Sequence, residues 1–322
     1  MNLSELTKKR LIIYLVVAFG FSWILGLVIL LTGGLDNSPQ IGSTQGLTLA
    51  YILMVAYMWG PALGNLAARV FTHEGTANLL TNFNLKQNWR YWLIAWIAPS
   101  LFILLGAALF FVILPQYFDS GFQSIRMQIA FAGQNPDTID IPQLLVLQAL
   151  LAILIAPVLN ALATFGEEFG WRAYLLPKLQ ELGTKKALIY SSIIWGVWHW
   201  PVIALGYNYG SEYFGAPWLG LIMMVWTTFG FGIFIGWVSL RAKSVWPGVI
   251  AHGAINGFAA ISLLVVKGNP STLLGPTPIG LIASLPFIAA SLWVLLYPGA
   301  LAGIDNLENV KELAPGINIV KK

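Results

Sequence analysis

Eight apolar runs divide this chain, at about 11–32, 46–70, 91–114, 143–177, 187–206, 217–240, 246–266 and 279–298. Each is long enough to cross the roughly 30 Å of hydrocarbon in a bilayer. A chain that is 57% hydrophobic and 9% charged cannot clothe its exterior for water, since a soluble domain carries about 25% charged residues. Its exterior therefore faces lipid. The first run follows Lys8, Lys9 and Arg10, yet it exceeds the apolar core of a signal peptide and no small-residue cleavage site closes it, so a retained helix is expected. The fold class this predicts is all-α, a polytopic membrane bundle of about eight transmembrane helices. A soluble enzyme and a secreted disulfide scaffold are excluded. Zero Cys removes disulfides, thiolate zinc sites and cysteine catalysis together.

The basic residues argue about topology. With the N-terminus in the cytoplasm, every Lys and Arg of the 17 falls inside except Arg126 and Lys267, the asymmetry of the positive-inside rule. One added or missing helix would spoil that pattern, so both termini are placed in the cytoplasm. The same residues form no basic stripe, so no nucleic-acid partner is expected. Three segments are anticipated: 1–140 with helices one to three and an external loop at 115–141, 141–266 with helices four to seven, and 267–322 with the last helix. The tail from 299 mixes charge and Pro and reads as a cytoplasmic flap or a disordered end. Small-xxx-small spacings at Gly60/Gly64, Gly166/Gly170, Gly232/Gly236 and Gly253/Gly257 read as helix-packing sites.

In lipid the informative residues are the ionisable ones, because each costs about 2.5–3.5 kcal/mol at a helix centre. Three segments carry them: Thr164 to Arg172 with Glu167 and Glu168, Trp195 to Pro201 with His199, and Ala251 to Asn256 with His252. The chain has 3 His, and two lie inside expected spans. At about 1.5 Å per residue from the nearest cytoplasmic end, Glu167 lies roughly 15 Å deep, His199 roughly 20 Å and His252 roughly 9 Å. The three segments should converge in the cytoplasmic half of the membrane. Glu167 sits too far from its helix end for 143–177 to be one straight span, and Pro157 offers a kink.

Spacing assigns faces. Glu168 and Arg172 are i,i+4 and can pair on one helix face, either for structure or to orient chemistry. Glu167 is turned about 100° away and is free for another partner. His252 and Asn256 share a face at i,i+4. Glu167 with His199 could deprotonate a water, and His252 with Asn256 could donate to the oxyanion that water attack creates. His73, beside Glu74 in a loop, reads as solvated and idle; Thr164 and Ser191 read as packing residues.

These segments resemble the CPBP family, intramembrane proteases grouped with the type II CAAX prenyl endopeptidases and the bacteriocin-processing or Abi proteins. The family's Glu-Glu-x-x-x-Arg is met by Glu167, Glu168 and Arg172. Its Phe-x-x-x-His is met by His199, with Trp195 in the Phe position, a change expected to affect packing more than chemistry. Its His-x-x-x-Asn is met by His252 and Asn256. The resemblance covers about 161–258 and leaves the helices of 11–114 unmatched.

The resemblance implies a glutamate-based endopeptidase cutting near the cytoplasmic face. Glu167 and His199 would activate water, His252 and Asn256 would form the oxyanion hole, and Glu168 and Arg172 would orient the site. No cofactor is favoured; a zinc-dependent variant of the chemistry would use Glu167, His199 and His252 as ligands with an open water position. The implied partners are the lipid bilayer and a membrane-associated or prenylated protein or peptide. The membrane would be the plasma membrane in a prokaryote and the endoplasmic reticulum in a eukaryote. The competing readings are a transporter or proton relay built on the same residues, and a catalytically silent immunity protein of the same family.

Overall fold

The computed structural model describes residues 3–42 and 46–304. Among them the regular structure is helical, with isolated bridges Gln40–Thr48 and Phe118–Val266 in place of any sheet. Helix α1 (Glu5–Leu31) starts where Ser4 accepts from the Thr7 N–H at 3.2 Å, which satisfies one of the donors a helix start leaves bare. There follow α2 (Leu49–Tyr57), α3 (Gly60–Phe71), α4 (Leu85–Ile113) and α5 (Gln123–Phe131). The fourth apolar run becomes α6 (Ile141–Leu154), α7 (Ala156–Leu159), α8 (Ala161–Gly170), a π turn at Trp171–Leu175 and α9 (Leu176–Leu179). The remainder is α10 (Thr184–Trp198), α11 (Trp200–Ala204), α12 (Trp218–Ala242), α13 (Trp246–Phe258) and α14 (Leu285–Leu296).

This is a polytopic helical bundle of an integral membrane protein. Five helical stretches among the described residues are long and apolar enough to cross a membrane: Glu5–Leu31, Leu49–Phe71, Leu85–Ile113, Trp218–Ala242 and Trp246–Val265. The other three expected runs are apolar but interrupted or short. Proline is the physical reason for the interruptions. Pro61, Pro157, Pro177 and Pro201 each sit at the second position of the helix that resumes after a break, where a missing N–H costs no bond. The expected kink at Pro157 is thus a double break, at Ile155 and Asn160.

Packing follows from small residues. Helix α3 lies between α1 and α8, α10 lies on α12, and α13 packs against α4, α7 and α8. Gly60 and Gly64 face α1, Gly166 and Gly170 face the α2–α3 junction, Gly232 and Gly236 face α10, and Gly253 and Gly257 face α7. At Gly170 a methyl group would run into the backbone of Pro61, and at Gly253 it would meet the Pro157 carbonyl at 2.5 Å. These contacts bring α8, α10 and α13 together.

The connection at 115–141 holds α5 and is tied back near the end of the α13 run. The Asp119 N–H donates to the Val265 carbonyl at 2.9 Å, and the Lys267 N–H donates to the Tyr117 carbonyl at 2.9 Å. At the far end of the chain, Arg241 donates to the carbonyls of Gly299, Ala300 and Ala302 at 2.8, 2.6 and 2.8 Å. The start of the expected flap is therefore pinned to the end of α12. Its remainder, with Lys311, Lys321 and Lys322, lies outside the described residues.

Candidate active site

Helix α8 ends in a π turn, a geometry that recurs where helices carry function. Glu167 and Glu168 are on its last turn and Arg172 is in the π turn itself. Arg172 Nη1 donates to Glu168 Oε1 at 3.1 Å, and its Nε stands 3.1 Å from Oε2. Both side chains are buried, at 3% and 0% exposure. A buried pair survives only if its remaining valences are met. Here Glu168 Oε1 also has His252 Nδ1 at 2.8 Å, and the face of Trp195 lies 4.5 Å from the Arg172 guanidinium carbon. Among the described residues Glu168 Oε2 has the ion pair alone, with no hydrogen bond.

Glu167 points elsewhere, as its angular offset from Glu168 requires. Its Oε2 accepts from the indole N–H of Trp195 at 2.6 Å, and it makes no other hydrogen bond among the described residues. One turn further along α10, the Trp195 carbonyl lies 2.8 Å from His199 Nδ1. A carbonyl can only accept, so Nδ1 carries the proton and Nε2 of the neutral ring keeps its lone pair. His252 differs in its partner: its Nδ1 faces a carboxylate where that of His199 faces a carbonyl. The indole of Trp195 is also edge-on to His252, with ring centres 5.2 Å apart.

Five of the six expected site residues are therefore joined through Trp195 and Glu168. The sixth, Asn256, is exposed, one turn beyond His252 on α13, and makes no hydrogen bond to the other five. His199 is half-buried, whereas Glu167 and His252 are buried. The cluster thus opens along the edge marked by His199 and Asn256. His73 is exposed on its loop. Thr164 Oγ1 donates between the Asn160 and Val249 carbonyls, and Ser191 donates to Leu188 within α10; both pack helices.

Trp195 is the residue whose part was underestimated. Expected to matter for packing, it supplies a hydrogen bond that Phe in the same position could not make. The signal available in the sequence was a Trp, four residues before His199, in a slot where an indole N–H must find a buried acceptor. For zinc, the alternative ligands Glu167, His199 and His252 do not form a preformed cage: among the described residues no three His, Asp or Glu side chains stand together as a metal-holding group.

A second polar group steadies the end of the π turn. Glu74, on the loop after α3, accepts from Lys178 at 2.6 Å and from the Tyr174 hydroxyl at 3.1 Å, and Arg10 Nε lies 3.2 Å away. Burial works against its charge, but the hydrogen bond and charge of Lys178, with Arg69 and Arg10, outweigh it and hold the carboxyl below its ordinary range.

Comparison with known proteins fits this geometry. Residues 142–258 match the family described as type II CAAX prenyl endopeptidase Rce1-like. A 97-residue stretch is 38% identical to CAAX prenyl protease 2 of Methanococcus maripaludis, covering 29% of this chain and 35% of that protein. Through this segment the chain is similar to the CAAX prenyl proteases. The matched stretch spans about a third of the length of that relative.

Proposed function

We propose that this protein is an intramembrane endopeptidase of the CAAX prenyl protease type, acting on a prenylated or otherwise membrane-associated protein or peptide. The observation that carries the reading is one residue, Trp195, holding both Glu167 and His199 beside a histidine fixed by a buried carboxylate. Such an arrangement suits water activation without a nucleophilic side chain.

In the proposed reaction a water lies between the free oxygen of Glu167 and Nε2 of His199. Its proton passes to this pair as its oxygen bonds to the scissile carbonyl carbon. The carbonyl oxygen becomes an oxyanion, which accepts hydrogen bonds from the His252 ring and the Asn256 amide. Collapse breaks the C–N bond, and the proton held by Glu167 or His199 goes to the leaving amine. Glu168 and Arg172 take no part in proton transfer; they keep the His252 ring in place. The exposed position of Asn256 suits a donor that closes on the oxyanion only when substrate lies along the open edge.

The test is cleavage of a farnesylated CAAX peptide by purified full-length protein in detergent, wild type against Glu167→Gln. Cleavage by wild type that is lost in the variant is expected. Equal cleavage by both would remove Glu167 as the base, and no cleavage by either would remove prenyl peptides as substrates.

A further inference from the structure

The family match begins at residue 142, yet the peptide that presents His199 is held from outside it. Helix α10 ends at Trp198, and the chain resumes as α11 with Pro201 at its second position. The Trp198 carbonyl lies at this break. It accepts two hydrogen bonds from the N-terminal helices, one from the Tyr57 hydroxyl of α2 at 2.6 Å and one from the Trp23 indole N–H of α1 at 3.1 Å. Tyr57 is 1% exposed and its ring packs on Trp198 with centres 4.5 Å apart. A carbonyl gripped by two donors fixes the plane of the peptide it belongs to, and that peptide's nitrogen is the backbone nitrogen of His199.

The grip on Tyr57 is itself built. Its own carbonyl accepts from Ser22 Oγ at 2.8 Å, and Ser22 lies next to Trp23 on α1. The two donors therefore reach Trp198 as a unit that joins α1 to α2. Asn65 of α3 makes a parallel contact on the other side of the site. Its amide nitrogen donates to the carbonyl of Phe169, the residue after Glu168, at 2.8 Å, and its amide oxygen accepts from Arg69 at 2.7 Å. Both contacts land on backbone carbonyls next to residues of the site, one per helix.

We infer that Tyr57 and Trp23 are positioning residues for the reaction: they hold the helix break that sets the place and tautomer of His199. This deepens the protease reading and rests on it for its catalytic meaning, but the placement of His199 can be read without any substrate. With 3 His in the chain, full-length protein labelled with ¹⁵N-histidine in detergent gives a resolvable set of imidazole signals, assigned with His→Gln variants. Wild type is expected to show His199 protonated at Nδ1 with a bare Nε2. Tyr57→Phe removes one hydroxyl and Trp23→Phe removes one N–H at a less buried position; both should fold, as checked by elution and melting midpoint.

Each variant should move His199 toward a mixture of tautomers, and the double variant further, with His73 unchanged. Cleavage of the farnesylated peptide should fall about three- to tenfold in kcat per variant with KM held. An identical His199 pattern in wild type and all three variants overturns the inference, whatever happens to cleavage. A His199 pattern that moves in a protein that does not cleave the farnesylated peptide upholds the placement and removes prenyl peptides as substrates instead.

Discussion

The indole N–H of Trp195 points at one carboxylate oxygen of Glu167, 2.6 Å away. Because the same residue's carbonyl takes the proton of His199 Nδ1, a change of indole to phenyl removes one bond and leaves the other. Trp195→Phe should lower kcat about tenfold, the value of one hydrogen bond to a charged group, with KM nearly unchanged and the melting midpoint lowered because buried Glu167 loses its partner. Steady-state cleavage of the farnesylated peptide checks this. A variant as active as wild type would return Trp195 to a packing role.

Glu168 and Arg172 form a buried pair with His252 as third member. Removing one charge leaves the other stranded, at a cost of about 3–5 kcal/mol, whereas removing both is often far milder. Arg172→Met should therefore destabilise the protein more than Glu168→Gln combined with Arg172→Met. Unfolding midpoints in detergent decide it, and a double variant weaker than the single would refute the account.

Acid should act on Glu74 from outside the bilayer. Its carboxyl titrates below the ordinary 4.5, held there against burial by Lys178, Arg69 and Arg10. A depressed folded value contributes stability that is present above the unfolded value and lost as pH falls through the folded one. Wild type should be more stable than Glu74→Gln at neutral pH, with the gap closing as pH drops below 4.5. Melting midpoints across that range test it; a gap that persists at the lowest pH would mean the carboxylate charge is not what stabilises the loop.

Two glycines provide a matched contrast. A methyl group at Gly20 meets nothing within 4 Å, and at Gly170 it strikes the backbone of Pro61. Gly20→Ala should leave the melting midpoint unchanged or raise it slightly, since Gly costs about 1 kcal/mol in a helix. Gly170→Ala should lower it by about 1–3 kcal/mol of stability, and should depress activity because Glu168 lies only two residues away.

Much of this site was legible because its logic is local. The spacing of Glu168 and Arg172, the offset of Glu167 and the pairing of His252 with Asn256 on one face all follow from 3.6 residues per turn. What escaped is non-local. Nothing near Glu74 in the sequence points to Lys178, 104 residues away, which donates to it. Tyr57 is an ordinary apolar-run aromatic until its hydroxyl meets a carbonyl 141 residues on. The hydrogen bond of Trp195 was hidden for a different reason: its place in the motif is one that shape alone could fill. The helix breaks were half visible, since proline marks where a helix can restart but not whether the turn before it is kept.

The press of the α2–α3 junction on Gly166 and Gly170 bears on where this protein could be cut. The stretch recognisable by similarity, 142–258, has its carboxylate-bearing turn seated on Met58, Trp59 and Pro61, and its histidine-bearing break hung from Tyr57 and Trp23. Excised at those borders, it would carry every residue of the motif and none of the wall against which two of its three segments are shaped. Heredity and architecture here draw different boundaries on the same chain.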